Sequence, residues 1–257
     1  MAGPDSLVIM ATYNEAGNLA PLVSRVLAYP EFDVVVIDDN SPDGTGAVAE
    51  ELVRRFPGRV SVLHRSHKQG LGTALVLGYR HALTNRHDRV FQMDADLSHD
   101  PSLLEEMRRS LEEADVVIGS RYVAGGSVLN RSPWRRLLSR SASAYTRTLL
   151  GLPIRDPMGG YKGYRRSVLE ALDLDRIRSR GYAIQAEMSF RCRQRGFSIV
   201  ELPTLFTDRV RGRSKMTAAV VLEALVMPLI LLARRPFETA NSGRVGPATP
   251  VAPESPD

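Results

Sequence analysis

At 257 residues, with 43% apolar and 25% charged side chains, the chain is long enough for one α/β domain with a substantial core plus a short appendage, and wholesale disorder is excluded. Its 34 Lys and Arg against 29 Asp and Glu leave a formal charge of +5. A balance this mild admits nucleic acid, anionic lipid or a phosphorylated substrate without choosing among them. The lysines are Lys68, Lys162 and Lys215, so arginine supplies most of the positive charge, and its planar fork suits phosphate. A single cysteine, Cys192, excludes an internal disulfide and points to a reducing compartment. The first residues, MAGPDSLVIMATYNEAGN, lack a basic stretch followed by a long apolar one, so no signal peptide is expected and the protein should face the cytoplasm.

In chain order, short apolar runs at 7–10, 34–37, 60–63, 90–93 and 116–118 read as buried parallel strands, each too short for a helix and mostly β-branched or Leu. Helical patterns at 15–27, 44–55, 71–83 and 101–113 fit between them. This alternation predicts right-handed βαβ crossovers and a doubly wound α/β fold, whose ligands sit at the carboxyl ends of the strands. Residues 133–150 form a predicted basic helix, with Leu138, Ala142, Tyr145 and Leu149 on one face and Arg136, Arg140 and Arg147 on another. A further helix is expected at 183–195 and a strand at 197–202. Residues 217–233 are nearly all apolar, and from Glu238 onward Pro, Gly, Ser and Ala predict a disordered tail.

Three polar clusters fall at predicted strand ends and should converge on one edge: Thr12-Tyr13-Asn14-Glu15, the run from Asp38 to Gly44, and Asp94-Ala95-Asp96. Alternate residues point the same way, so Asp94 and Asp96 can project together. Two hard oxygen ligands beside a diphosphate suit Mg²⁺ or Mn²⁺, with Ser98 and His99 as further candidate ligands. The competing expectation is that Asp94 or Asp96 caps the helix starting at Pro101. After the second strand, Asp39 is expected to face ligand while Asp43 or Ser41 caps the next helix. Gly70-Leu71-Gly72 has two glycines of a dinucleotide fingerprint, but Leu75 stands where the third is required. Gly70 is expected instead to let the backbone pass close to a nucleoside, with Lys68 nearby.

These blocks, together with Gly119-Ser120-Arg121-Tyr122, the run from Asp156 to Lys162 and that from Arg209 to Lys215, resemble the family 2 glycosyltransferases, and more narrowly the dolichol- or polyprenol-phosphate mannose synthases. The resemblance covers roughly residues 5–233 and implies a nucleotide-sugar-binding glycosyltransferase A-type, Rossmann-like, mostly parallel sheet with flanking helices. It implies that Tyr13, Glu15 and Asp39 bind the nucleoside, with Ala11 and Ile37 lining it. Asp94 and Asp96, with the Ala95 backbone close by, would hold metal and diphosphate. Some relatives carry Gln where Ser98 stands. Arg121, Arg135 and Ser139 would hold an acceptor phosphate, while Arg209 and Lys215 would close over the diphosphate and stabilise the leaving charge. Arg140 and Arg147 are read as a solvated basic face.

The function implied is transfer of mannose, with inversion, from GDP-mannose to a polyprenyl monophosphate. UDP-glucose as donor stays open, as do a saccharide or protein hydroxyl as acceptor and a non-catalytic nucleotide-sugar-binding module. A hydroxyl acceptor asks for a general base, for which Glu187 occupies the comparable position; a phosphate monoester, largely dianionic near neutrality, needs none. Glu187 is therefore given an orienting role, with a structural ion pair as the alternative. The expected organisation is a catalytic domain at 1–213, an apolar helix at 214–237 and a disordered tail at 238–257. The apolar stretch falls short of the roughly 20 residues of a spanning helix, contains Glu223 and Pro228, and ends in Arg234-Arg235. It is read as lying on the inner face of the membrane, where a membrane partner protein could help retain the enzyme. The alternative is packing on the protein's own sheet. Nucleic acid is not an expected partner.

Overall fold

A computed structural model describes residues 4–207 and 218–239. The apolar runs of the first half become β1 (Ser6–Thr12), β2 (Phe32–Asp38), β3 (Val60–His64), β4 (Arg89–Gln92) and β5 (Val116–Ser120). Between them lie α1 (Ala16–Val26), α2 (Thr45–Arg55), α3 (Leu71–Thr84) and α4 (Leu104–Ser110). The helix expected over 101–113 opens instead as a 3₁₀ turn at Pro101–Leu103. There Asp100 Oδ1 accepts the Ser102 amide at 3.1 Å, so Asp100 caps this start rather than Asp94 or Asp96.

The second half adds β6 (Ser127–Leu129), α5 (Pro133–Leu150), β7 (Lys162–Arg165), α6 (Arg166–Ala171), α7 (Ile184–Gln194), β8 (Ile199–Pro203), β9 (Leu205–Thr207) and α8 (Ala218–Thr239). One seven-stranded sheet runs in the order β3-β2-β1-β4-β7-β5-β8. Its neighbours are parallel except β7, which is antiparallel to both β4 and β5. β6 and β9 form a separate parallel pair. Strand β7 was not expected from sequence, because Lys162-Gly163-Tyr164-Arg165 carries no apolar run. Its glycine is a packing requirement: a Cβ at Gly163 would lie 2.6 Å from Phe91 Cε1 and 2.8 Å from Val117 Cγ1.

Both faces of the sheet are covered, which is why its central strands read as continuous apolar runs. Along β1 and β2, Leu7, Ile9, Val35 and Ile37 pack with Tyr79 of α3 and Ile184 and Met188 of α7. Val8, Met10, Val34 and Val36 face the other way, onto Leu19 and Leu22 of α1, Leu52 of α2 and Leu104 of α4. Lys162 lies wholly inside, donating to Pro157 O (3.2 Å), Gln185 O (2.5 Å) and Ser189 Oγ (2.8 Å). Burial pushes its ammonium down to about 7.

Helix α8 is longer than the stretch 217–233 and is held to the protein along one face. Met227 and Leu231 are buried, Glu223 Oε1 accepts the amides of Arg180 and Gly181 at 2.9 Å each, and the Tyr145 hydroxyl donates to Leu225 O at 3.0 Å. Its other side leaves Leu222, Leu225, Val226 and Leu229 exposed. Among the described residues no helix is long and apolar enough to cross a membrane. The boundary expected at 213/214, Arg209, Lys215 and the tail past Thr239 lie outside the described residues.

Candidate active site

The predicted convergence of polar clusters occurs at the carboxyl edge of β1, β2 and β4. The chain turns there with positive φ at Asn14 (58°), Asn40 (57°) and Leu97 (65°). Asn tolerates this region, whereas for a bulky Leu it costs about 1–3 kcal/mol and marks a constrained site. Asp43 ties two of the turns together. Its Oδ2 accepts the Ala16 amide at the start of α1 (3.1 Å), and its Oδ1 accepts the Thr45 amide (3.0 Å) and hydroxyl (2.6 Å) at the start of α2. Burial raises the Asp43 carboxyl, but these hydrogen bonds outweigh it and hold the group below its ordinary value. Ser41 does not cap: its hydroxyl donates to Asp38 Oδ1 (2.5 Å) and receives the Asn14 amide (3.1 Å).

The residues expected around a nucleoside are placed unequally. Lys68 Nζ sits 4.0 Å from the centre of the Tyr13 ring, a cation–π contact at the rim. Glu15 is nearly buried, its amide donating to Thr45 Oγ1 (2.9 Å) and its Oε2 accepting from Asn18 (2.9 Å). Asp39 Oδ1 lies 2.5 Å from Arg65 Nη1, an ion pair not aligned as a hydrogen bond, and its Oδ2 accepts the amides of Gln69 (3.3 Å) and Gly70 (3.2 Å). Ala11 is partly buried. Ile37 is wholly buried in the core, so its side chain offers no surface to a ligand, which corrects the expectation that it lines the nucleoside. At Gly70 and Gly72 the space a side chain would need is taken by the protein's own chain. A Cβ at Gly70 would lie 2.5 Å from Arg180 O, and one at Gly72 would collide with Ser179 O.

At the end of β4, Asp94 keeps 28% of its side chain exposed while Ala95 and Asp96 are nearly buried. The Ser98 amide donates to Asp96 Oδ1 at 3.1 Å. Ser98 Oγ is buried without a hydrogen-bond partner among the described residues. His99 is buried, stacked on Tyr161 at 4.9 Å, with its Nδ1 accepting the Asp94 amide (3.1 Å). Burial lowers its imidazole against the pull of Asp94 and Asp96, so His99 is neutral and orients the Asp94 backbone. No cluster of three or more His, Cys, Asp or Glu side chains completes a metal site among the described residues. Two carboxylates and an unsatisfied hydroxyl nevertheless fit a hard divalent cation that takes its remaining ligands from a diphosphate and water.

The expected acceptor residues lie on β5 and α5. Arg121, just past β5, donates from Nε to Asp156 Oδ2 (2.7 Å) and from Nη2 to Asp156 Oδ1 (2.8 Å), a two-pronged pair with a fully buried carboxylate. Desolvation lowers the guanidinium, but Asp156 more than compensates and raises it above its ordinary value. Its fork is thus largely committed to the protein. Ser139 Oγ receives the Tyr122 hydroxyl (2.9 Å), and Arg135 is exposed near the start of α5.

Sequence reasoning missed what joins these parts. The Phe206 ring lies 5.7 Å from His99, 5.5 Å from Arg121 and 5.3 Å from Arg131, bridging the Asp94 side to the arginines. Glu201 on β8 accepts the amides of Arg155 (2.6 Å) and Asp156 (2.8 Å), fixing the loop that carries Asp156. Glu187 is fully buried and accepts from the Arg178 amide, the Ser179 amide and hydroxyl, and Arg191 Nε at 2.7–3.2 Å. Of the two expectations for Glu187, the structural ion pair is the one found.

The comparisons agree with this architecture. The chain is 47% identical over 223 residues to a polyprenol monophosphomannose synthase of Mycolicibacterium smegmatis, covering 86% of this chain and 84% of that protein. It is 44% identical over 221 residues to an undecaprenyl-phosphate mannosyltransferase of Micrococcus luteus, covering 86% and 90%. Among solved structures, the mannosyltransferase PcManGT from Pyrobaculum calidifontis, in complex with GDP-Man and Mn2+, superposes with a TM-score of 0.58 at 18% identity, over 96% of this chain and 67% of that one. That likeness speaks to the fold, which is the expected glycosyltransferase A-type. The model of the glycosyl transferase family 2 matches residues 7–173, and with relatives this similar over most of its length the chain belongs to that family.

Proposed function

We propose that the protein transfers a mannosyl residue from GDP-mannose to the phosphate of a polyprenyl monophosphate, with inversion. The observation that carries this reading is the pair of relatives named for transfer of this kind, each matched over 86% of this chain. PcManGT, solved with GDP-Man and Mn2+, adds support for the donor and for a divalent cation.

Each residue has a task in this proposal. Tyr13, Glu15, Asp39, Lys68 and the backbone at Ala11 and Gly70 form the nucleoside end. Asp94 and Asp96, with Ser98 as a further oxygen, hold the cation, which when bound would offset charge growing on the departing diphosphate. Arg209 and Lys215 add positive charge there. Arg135 and Ser139 grip the acceptor phosphate, while Arg121, held by Asp156, contributes its fixed charge. A phosphate nucleophile is already anionic near neutral pH, in keeping with a Glu187 whose oxygens are occupied by four donors.

Two measurements test this. GDP release from GDP-mannose should depend on undecaprenyl phosphate and not on undecaprenol; equal stimulation by the alcohol overturns the phosphate acceptor. Asp96→Asn should lower turnover by about a hundredfold or more, the scale of losing one preorganised electrostatic contact. Full activity of that variant, or of the wild type in excess chelator, overturns the metal assignment.

A further inference from the structure

Arg140 and Arg147 stand two turns apart on one side of α5, and the sequence reads them as a solvated face. The structure adds a concavity. Tyr122, Arg140, Ala144, Arg147 and Arg155 line a cavity of about 130 Å³. The exposed Arg25, Arg54 and Arg109 are paired with Asp100, Glu51 and Glu105. Among the described residues, no carboxylate pairs with Arg140, Arg147 or Arg155. The walls are nonetheless fixed: the Arg155 amide is held by Glu201 Oε2 at 2.6 Å, and the Tyr122 hydroxyl by Ser139 Oγ at 2.9 Å.

Guanidinium groups gathered around a cavity without a counter-charge repel one another, and an anion that accepts their hydrogen bonds relieves this. A cavity of this size is below the roughly 300 Å³ at which small-molecule sites begin, so it suits a phosphate group rather than a nucleotide. The same helix exposes Trp134 and Leu137 within the two turns before Arg140. Aromatic and aliphatic side chains beside arginines are the composition of a lipid–water boundary. We infer that Arg140, Arg147 and Arg155 form a binding site for the phosphate of an anionic phospholipid headgroup, separate from the donor site at Asp94 and Asp96. This inference does not depend on the identity of the sugar or its acceptor.

The test uses the full chain and two charge-matched double variants, Arg147→Ala with Arg155→Ala, and Arg86→Ala with Arg193→Ala as a control at exposed positions on other elements. Sedimentation with vesicles of phosphatidylcholine containing phosphatidylglycerol should show affinity falling about thirtyfold for the first pair, the scale of removing two arginines from an anionic surface. The control pair should change much less, and pure phosphatidylcholine should bind all forms weakly and alike. Inorganic phosphate should shift the arginine side-chain NMR signals of the wild type at these positions and compete with the vesicles. If phosphate shifts those signals but the two variants bind vesicles equally, the site stands and its ligand is a soluble phosphate compound. Equal loss in both variants with no phosphate shift makes this a solvated basic face and overturns the inference. A raised Michaelis constant for polyprenyl phosphate in detergent in the first variant alone overturns it too, because the pocket would then belong to the acceptor.

Discussion

Glu187 shows how far a single residue could be read from sequence. Its type and helical placement allowed a base, an orienting group or an ion pair, and the choice rests on partners at Arg178, Ser179 and Arg191 that no local spacing reveals. Those contacts hold the 178–180 segment whose carbonyls touch Gly70 and Gly72, so Glu187 supports the start of α3 from behind. Removing one partner of a buried pair costs about 3–5 kcal/mol. Glu187→Gln should therefore lower the denaturant midpoint substantially while kcat, measured well below melting, stays within a few-fold of wild type. A kcat loss of about a hundredfold or more in the folded variant, the scale of a lost general base, would restore Glu187 as catalytic and the acceptor as a hydroxyl. The aspartates at strand ends were legible because a carboxylate past a buried parallel strand has few other reasons to be there. The pairing of Asp156 with Arg121, and the places of Glu201 and Phe206 on β8 and β9, were not, since these residues reach the site from far along the chain.

Elements with a strong period were readable: β1 to β5, α1 to α3, α5 and α7 fall where apolar spacing puts them, while α4 is shorter than its pattern because a 3₁₀ turn precedes it. β7 was not, because its fitness for the sheet lies in what it lacks. Between β4 and β5 there is room for backbone and no room for a side chain at Gly163, so the strand has neither alternation nor an apolar run. Gly163→Ala should cost about 1–3 kcal/mol through overpacking against Phe91 and Val117. Calorimetry checks this, and an unchanged melting temperature would mean that β4 and β5 can separate without strain. Because β7 also carries Lys162 and follows Gly160, beside Asp94, the variant should lose activity along with stability.

For the whole molecule, the apolar C-terminal segment packs on the protein along one side, and whether lipid meets its other side is a matter for experiment. α8 gives Met227 and Leu231 to the protein and leaves Leu222, Leu225, Val226 and Leu229 outside. Both sides of the helix are apolar, so periodicity could not tell which was which. Burial of apolar area is worth roughly 25 cal/mol per Å², enough for a stripe of this kind to give reversible attachment to a bilayer. Leu222→Ser, Leu225→Ser and Leu229→Ser together should leave the melting temperature nearly unchanged and reduce flotation with liposomes. Undiminished flotation would assign attachment to α5 or to residues beyond the described ones.

The reading of the site as a whole depends on which sugar moves and where it goes. One incubation decides this most directly: the full chain with differently labelled GDP-mannose and UDP-glucose, a divalent cation and undecaprenyl phosphate, followed by organic extraction. The mannose label is expected in the lipid phase, in an acid-labile product whose formation needs the lipid phosphate, with glucose label at background. Glucose in the lipid, or mannose left in the aqueous phase on a saccharide, would contradict that reading.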